Sequence, residues 1–303
     1  MGVNEYVELA QVFPGLMKTL LNIWKCSKHY NTPSRLSVIL QEICNDVIEG
    51  ARNHIQPAEL LASEPEEAAE RLRVVMRVIN SMKSSYLDCK ANTLKSKSPW
   101  SFDSKLIFSR LDQFTVRVQE LLSLFDTINE FNRLEKIEIG GTKGKILSSQ
   151  IAQIYVEFTT ALKAFAGLKY DVLNLTSIDF SNDLAKFHSL MVDLDRRIST
   201  ILNQAFDDCP GLYSCFRLLE SFGGLLNRPN IVRDFEKKYF ELLKIYSQEL
   251  DDVSAIFLKS KTNVPIHYNM APVTGAVAWV HELKERIGKA MDKLKTVRQS
   301  TLN

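Results

Sequence analysis

Seven apolar residues, Ile107, Leu111, Phe114, Val118, Leu121, Phe125 and Ile128, recur along one stretch of the chain at steps of 4, 3, 4, 3, 4 and 3. That spacing puts all of them on one face of an α-helix, whereas a half-buried strand would alternate every second residue. The stripe runs from Ser104 to about Leu134. A helix of about 30 residues is a rod of about 45 Å, well beyond the usual globular helix of about 11–12 residues. Ser101 or Asp103 offers a short side-chain oxygen to cap its first turn, and Glu138-Ile139-Gly140-Gly141-Thr142 ends it.

The pattern recurs. Leu147, Ile151, Ile154, Phe158, Ala161, Phe165 and Leu168 form a second stripe, and Leu184, Phe187, Met191, Leu194, Ile198, Ile201 and Ala205 a third. Ile231, Phe235, Tyr239, Leu242, Tyr246, Leu250, Val253 and Phe257 make a fourth. Leu72, Val75, Ile79, Met82, Tyr86 and Cys89 make a fifth, preceded by Ser63-x-x-Glu66, a capping-box spacing. Stretches from Leu16 to Tyr30, Leu36 to Ile55 and Val273 to Val297 complete the set. Glycine (12) and proline (9) are scarce in 303 residues, about 7% together against an ordinary ~12%, which excludes turn-rich sandwiches, barrels and doubly wound sheets. The expected fold is all-α: an elongated stack of about eight long antiparallel helices, packed as bundles at shallow angles.

Short links carry the turn chemistry: Asn31-Thr32-Pro33, Gly140-Gly141, Asp208-Cys209-Pro210-Gly211, and Gly223-Gly224 followed by Arg228-Pro229-Asn230. The softest stretches are Lys90 to Ser101 and Lys259 to Pro272. They divide the chain into an N-terminal helical segment (1–98), a central long-helix bundle (99–262) and a C-terminal segment (263–303).

Chemistry is harder to find. Lys and Arg number 38 against 36 Asp and Glu, a net charge of +2, too balanced for a dedicated nucleic-acid binder. Cys26, Cys44, Cys89, Cys209 and Cys215 are scattered without a C-x-x-C, so reduced thiols are expected rather than a disulfide scaffold or zinc module. Glu5 and Glu8 stand where a signal peptide would be basic and then apolar. No apolar run reaches membrane-spanning length, so no membrane is expected, and the sequon Asn174-Leu175-Thr176 should stay bare.

Gly140-Gly141-Thr142-Lys143-Gly144-Lys145-Ile146 fails as a phosphate loop, because Ile139 and Ile146 occupy the positions that need Gly and Ser or Thr. His29, His54, His188, His267 and His281 form no paired-ligand spacing, and Cys26 with His29 is at most half a metal site. Asp193 and Arg197 suit an ion pair across one turn, whereas Asp193 and Asp195 point apart. In Asp207-Asp208-Cys209 the carboxylates blunt the thiol as a nucleophile. Basic residues at Lys90, Lys95 and Lys97, and six between Lys284 and Arg298 interleaved with Glu285 and Asp292, read as solvated surface. Trp24, Trp100 and Trp279 read as packing anchors. No catalytic residue, cofactor or metal is expected.

Several phrases carry a resemblance. Asn269-Met270-Ala271-Pro272-Val273-Thr274-Gly275-Ala276-Val277-Ala278-Trp279 is similar to the signature of dynein heavy chain tails, N-M-P-P-V-A-G-A-I-x-W. Ala271 replaces the family's usual proline, and His281 its usual arginine. Asp193-Leu194-Asp195-Arg196-Arg197, Gln204 through Cys209, Phe216 through Phe222, Leu225-Leu226-Asn227-Arg228-Pro229 and Leu134 through Gly141 resemble the axonemal version, as do Trp24 and Trp100-x-Phe102.

The resemblance covers nearly the whole chain. It implies a fragment, short isoform or truncated gene model of a tail, without the family's ring of ATPase modules and therefore not an enzyme. It implies a scaffold for heavy-chain association, for intermediate and light chains, and indirectly for axonemal microtubules, located in the cytoplasm, cytoskeleton and ciliary or flagellar axoneme. Asn269, Pro272, Gly275, Trp279, Arg196, Arg197, Asp208, Arg228 and Pro229 are the implied structural or partner-contact residues. The alternative is a generic helical scaffold or tether unconnected to a motor.

Overall fold

A computed structural model describes residues 3–93, 99–100, 102–137, 139–167, 171–209, 211–225, 228–266 and 269–301. Of the positions singled out above, Lys95, Lys97, Ser101, Glu138, Leu168, Pro210, Leu226, Asn227 and His267 lie outside the described residues. Among those described there are ten α-helices and no strand. They are α1 (Val3–Cys26), α2 (Pro33–Ile55), α3 (Pro57–Leu60), α4 (Pro65–Thr93), α5 (Ser104–Asn132), α6 (Gly144–Ala166), α7 (Ile178–Asp207), α8 (Leu212–Phe222), α9 (Pro229–Ser260) and α10 (Pro272–Thr301). Eight of them match the periodic stretches. The additions are the single turn α3 and the 11-residue α8. The first helix also begins earlier than its stripe, running through Pro14.

The stripe of α5 is buried at every position from Ile107 to Ile128, as are those of α7 from Leu184 to Ala205. Helix starts follow backbone logic. Pro33 and Pro229 each begin a helix, where a fixed φ helps and the missing N–H would have been an orphan anyway. Asp103 caps α5 as expected, its Oδ1 accepting from the Lys105 backbone N–H at 2.9 Å. The capping box does not form: the Ser63 hydroxyl donates to the Leu60 carbonyl at 2.8 Å, because α4 begins with Pro65 and the turn before it belongs to α3.

The chain divides into two compact units, one of Met1–Asn129 with Lys163–Ala185, the other of Glu130–Leu162 with Lys186–Asn303. In the first, α1, α2 and α4 pack against one another. The Ser81 hydroxyl donates to Ala10 O at 2.7 Å and the Cys89 thiol to Met17 O at 3.6 Å, so α1 and α4 run parallel. Sequential neighbours α4 and α5 are antiparallel, tied by Lys83–Asp112 and Arg73–Asp126, both at 2.6 Å. Trp100 is buried with Tyr86 and Phe102, while Phe102 also meets Trp24 edge-on at 5.2 Å. Lys90 closes this cluster, donating to Phe102 O at 3.2 Å and Ser104 Oγ at 2.9 Å. A buried guanidinium holds the connection into α7: Arg117 donates to Val172 O at 3.1 Å and Ser181 Oγ at 3.0 Å and covers the Phe180 ring.

In the second unit α8, α9 and α10 pack mutually. Contacts between α9 and α10 run in opposite order, Tyr246 Oη to Ile287 O at 3.3 Å, then Phe257 stacked on Trp279 at 5.9 Å, which makes the pair an antiparallel hairpin. Helix α9 lies parallel to α7, since Asp195 meets Arg228, Ser199 meets Asp234 and Asp207 meets Lys238. The sequential pairs α4–α5 and α9–α10 are thus antiparallel, although the two softest stretches of the chain join them.

Candidate functional site

The residues singled out from the sequence fall into three structural roles within the second unit. Arg228 is the first. It sits just before α9 in extended backbone (φ −92°, ψ 121°), with Pro229 opening the helix, so its side chain turns back from the helix start. The guanidinium is buried, donating to both carboxylate oxygens of Asp195, with Nη2 to Oδ2 at 2.7 Å, and from Nη1 to Glu130 Oε2 at 2.8 Å. It lies 4.6 Å above the Phe131 ring. A planar fork satisfied on two carboxylates and stacked on an aromatic face is a geometry that lysine cannot supply. Asp195, Glu130, Phe131 and Arg228 come from α7, the end of α5 and the start of α9, so this knot sets their register.

Asp208 is the second. Its Oδ1 accepts from the Thr142 hydroxyl at 2.7 Å and its Oδ2 from the Lys143 backbone N–H at 2.9 Å. The carboxylate thereby caps the start of α6 from beyond the end of α7, and those bonds, the Lys143 N–H first, hold its pKa below the usual aspartate value. Gly141, at φ +96°, makes room: a Cβ there would stand 2.8 Å from Asp208 Oδ2. The Gly140–Ile146 segment is therefore a helix stop followed by a helix start.

The neighbouring basic pair departs from expectation. Arg197 binds Glu157 of α6 through both terminal nitrogens, and Asp193 pairs instead with Arg196 at 3.3 Å on the exposed face. The reason is reach: Glu157 offers Arg197 a two-oxygen partner on the adjacent helix, and hydrogen bonding to Arg197 draws the Glu157 pKa down. Lys238, not foreseen as important, is buried over Phe206. Burial opposes its charge, yet bonds to Glu241 at 2.9 Å and Asp207 at 3.0 Å outweigh that and raise its pKa.

The signature stretch entering α10 is the third. Gly275 packs so closely on Ile266 that any Cβ would overlap the Ile266 side chain, and Trp279 is buried on Phe257. Asn269 and Pro272 are exposed. Further along the same hairpin, α9 and α10 leave between them a cavity of about 690 Å³ lined by Tyr239, Phe240, Leu243, Tyr246, Met291 and Leu294. Glu236 edges it from α9, Lys295 and Arg298 from α10. Phe240 is 65% exposed and Met291 40%. Helical periodicity carried Tyr239 and Tyr246 but missed Phe240, Leu243 and Met291, which lie off the buried stripe. A second apolar flank on α9 was the available signal.

Among the described residues no group of three or more His, Cys, Asp or Glu is placed to hold a metal, and no helix is long and apolar enough to cross a membrane. The His29 ring, one turn from Cys26, faces Arg35 Nη1 at 2.9 Å.

The chain matches the family model "Dynein heavy chain, N-terminal region 1" over residues 1–303. It is 38% identical over 302 residues to the dynein beta chain of the flagellar outer arm of Chlamydomonas reinhardtii, covering 99% of this chain. It is 38% identical over 309 residues to the ciliary dynein beta chain of Heliocidaris crassispina (98% of this chain), and 37% identical over 295 residues to dynein axonemal heavy chain 9 of Homo sapiens (93% of this chain). It spans 7% of the length of each of these relatives. With that match over its whole length, the chain belongs to the dynein heavy chain family, as its N-terminal region 1.

Proposed function

We propose that this chain is a non-catalytic tail segment of an axonemal dynein heavy chain. It serves as a helical scaffold for heavy-chain association, holds intermediate and light chains, and helps to anchor a minus-end-directed microtubule motor in cilia or flagella. The axonemal, ciliary and flagellar names of its relatives support the location. The observation that carries the binding role is the groove between α9 and α10, where six apolar side chains line one open cavity.

Its occupant in this reading is an amphipathic helix of a dynein intermediate chain. Such a helix lays an apolar stripe into a groove of this kind, and the flanking charges fix its direction. With Glu236 on one lip and Lys295 on the other, the fitting helix carries basic residues along its α9 side and acidic ones along its α10 side. No chemistry is assigned to the chain and no cofactor.

Capture of purified axonemal intermediate chain by the immobilised chain tests this reading. Saturable binding supports it. Indifference to intermediate chain would favour a generic helical scaffold, and ATP turnover by this chain alone, above a buffer control, would overturn the non-catalytic assignment.

A further inference from the structure

Helix α7 and the opening turns of α9 leave between them a second cavity, of about 320 Å³. That volume is at the lower end of small-ligand sites, about 300–1,000 Å³, but such sites are mostly apolar. This one is lined, among the described residues, entirely by polar and charged side chains. Helix α7 contributes Arg196, Ser199 and Thr200. Helix α9 contributes Asn230, Arg233, Asp234 and Lys237.

The hydroxyls and the carboxylate are already engaged. Ser199 donates to Asp234 Oδ2, and Thr200 donates to Arg196 O at 2.9 Å. Asp234 accepts also from Asn203 Nδ2 at 3.2 Å. The cations are not engaged in this way. Exposed Arg233 has no ion-pair or hydrogen-bond partner among the described residues. Lys237 comes only within 3.8 Å of Asp234, and Arg196 holds exposed Asp193 at 3.3 Å, a surface pair of little worth. The lining therefore carries two more positive charges than negative ones. Arg233 and Lys237 also stand four apart on α9, where like charges repel.

We infer that this cavity binds a compact, doubly charged oxyanion of the phosphate class, held by Arg196, Arg233 and Lys237. The proposal is independent of the tail-scaffold reading. A guanidinium fork meets two phosphate oxygens at once, and an ammonium adds a point charge. A carboxylate, with one charge and two oxygens, would leave part of this excess uncovered. The anion would bridge α7 to α9 across the cavity and relieve the repulsion between Arg233 and Lys237.

The test titrates inorganic phosphate into the full chain at pH 8, where the dianion dominates, at an ionic strength held constant with chloride. Backbone NMR shifts at Thr200, Arg233 and Lys237 should saturate together, and the melting temperature should rise with phosphate. Arg233→Ala and Lys237→Ala should each weaken binding about tenfold, the loss of one charge-assisted contact, without lowering the melting temperature measured in chloride alone. Lys244→Ala removes an exposed charge from α9 outside the cavity and should leave binding unchanged. A parallel titration with O-phosphoserine identifies the source: equal affinity assigns a phosphate monoester, and binding of inorganic phosphate alone assigns the free anion. Absence of saturable binding with both probes would overturn the proposal. So would a loss on Lys244→Ala as large as that on Arg233→Ala, which would reduce the effect to bulk charge.

Discussion

Arg228 grips Asp195 with two nitrogens on two oxygens, across 33 residues of sequence and with both side chains 9% exposed. Glu130, 98 residues away from Arg228, takes a third N–H of the same guanidinium. Removing the arginine would strand two carboxylates in a site built for their counter-ion. Breaking one side of such a buried pair costs about 3–5 kcal/mol. Arg228→Ala should destabilise the chain by that order in urea denaturation, and Arg228→Lys should recover only part of it, since an ammonium cannot make the fork or stack on Phe131. A loss no larger than that of the exposed Arg196→Ala would contradict this account.

Gly141 and Asp208 should prove energetically coupled. Gly141→Ala places a Cβ 2.8 Å from Asp208 Oδ2 at a φ of +96°, so it should cost about 1–2 kcal/mol in urea denaturation. In an Asp208→Ala background the collision partner is gone, and the cost of Gly141→Ala should shrink to its backbone component, a non-additivity that a double-mutant cycle measures. The carboxylate also has a pH signature. Its folded pKa is lowered, so its contribution is present above the ordinary aspartate range near 4 and is lost as pH falls through the folded value.

What the sequence disclosed was the part governed by local periodicity. Ile107 through Ile128 announced α5 because every buried position lies within one turn of the next, whereas Pro229, read from the sequence as part of a link, opens α9. Side-chain partnerships obey no such rule. Arg197 had an apparent partner four residues back in Asp193, yet the structure gives it Glu157, 40 residues away on α6. Ser63 had the spacing of a cap but lost the role to the turn of α3. Helix α8 escaped notice because it is only 11 residues long, although Leu212, Cys215, Phe216, Leu219 and Phe222 are buried at helical spacing and Arg217, Glu220 and Ser221 form an exposed polar face. Arg228 was singled out only through resemblance; Asp195 and Glu130 acquire their meaning as its partners once three helix segments are brought together.

His54 sets a pH limit on the first unit. The ring is 8% exposed, stacked on Tyr6 at 5.3 Å, and neither nitrogen has a hydrogen-bond partner. Burial first, and then the positive charge of Arg71 on α4, lower its pKa below 6.5. The unfolded chain therefore takes up this proton at a higher pH than the folded one. Stability from keeping the ring neutral is complete above about 6.5 and is lost as pH falls below it. Melting temperature should decline from pH 7 to pH 5.5 in the unaltered chain. His54→Phe, which keeps the stack on Tyr6, should flatten that decline. An NMR titration of His54 in the folded chain should give a midpoint below the ordinary histidine value near 6.5.

The groove separates binding from folding, because its exposed lining and the buried core of its hairpin are different residues. Phe240 lies 65% exposed on α9 and contributes little to the core, so Phe240→Glu should leave the melting temperature nearly unchanged. Buried Trp279, stacked on Phe257 elsewhere in the same hairpin and outside the groove, belongs to its core, and Trp279→Ala should cost about 3–5 kcal/mol of stability. If the groove holds a partner helix, Phe240→Glu should weaken capture of intermediate chain at least about tenfold, since it sets an unpaired charge against an apolar stripe. Exchanging the lips, with Glu236→Lys and Lys295→Glu together, should weaken capture as well while restoring the net charge, because the direction of the bound helix would then be opposed. Equal capture by the unaltered chain, Phe240→Glu and the exchanged pair, with all three folded by circular dichroism, would move the partner off this face.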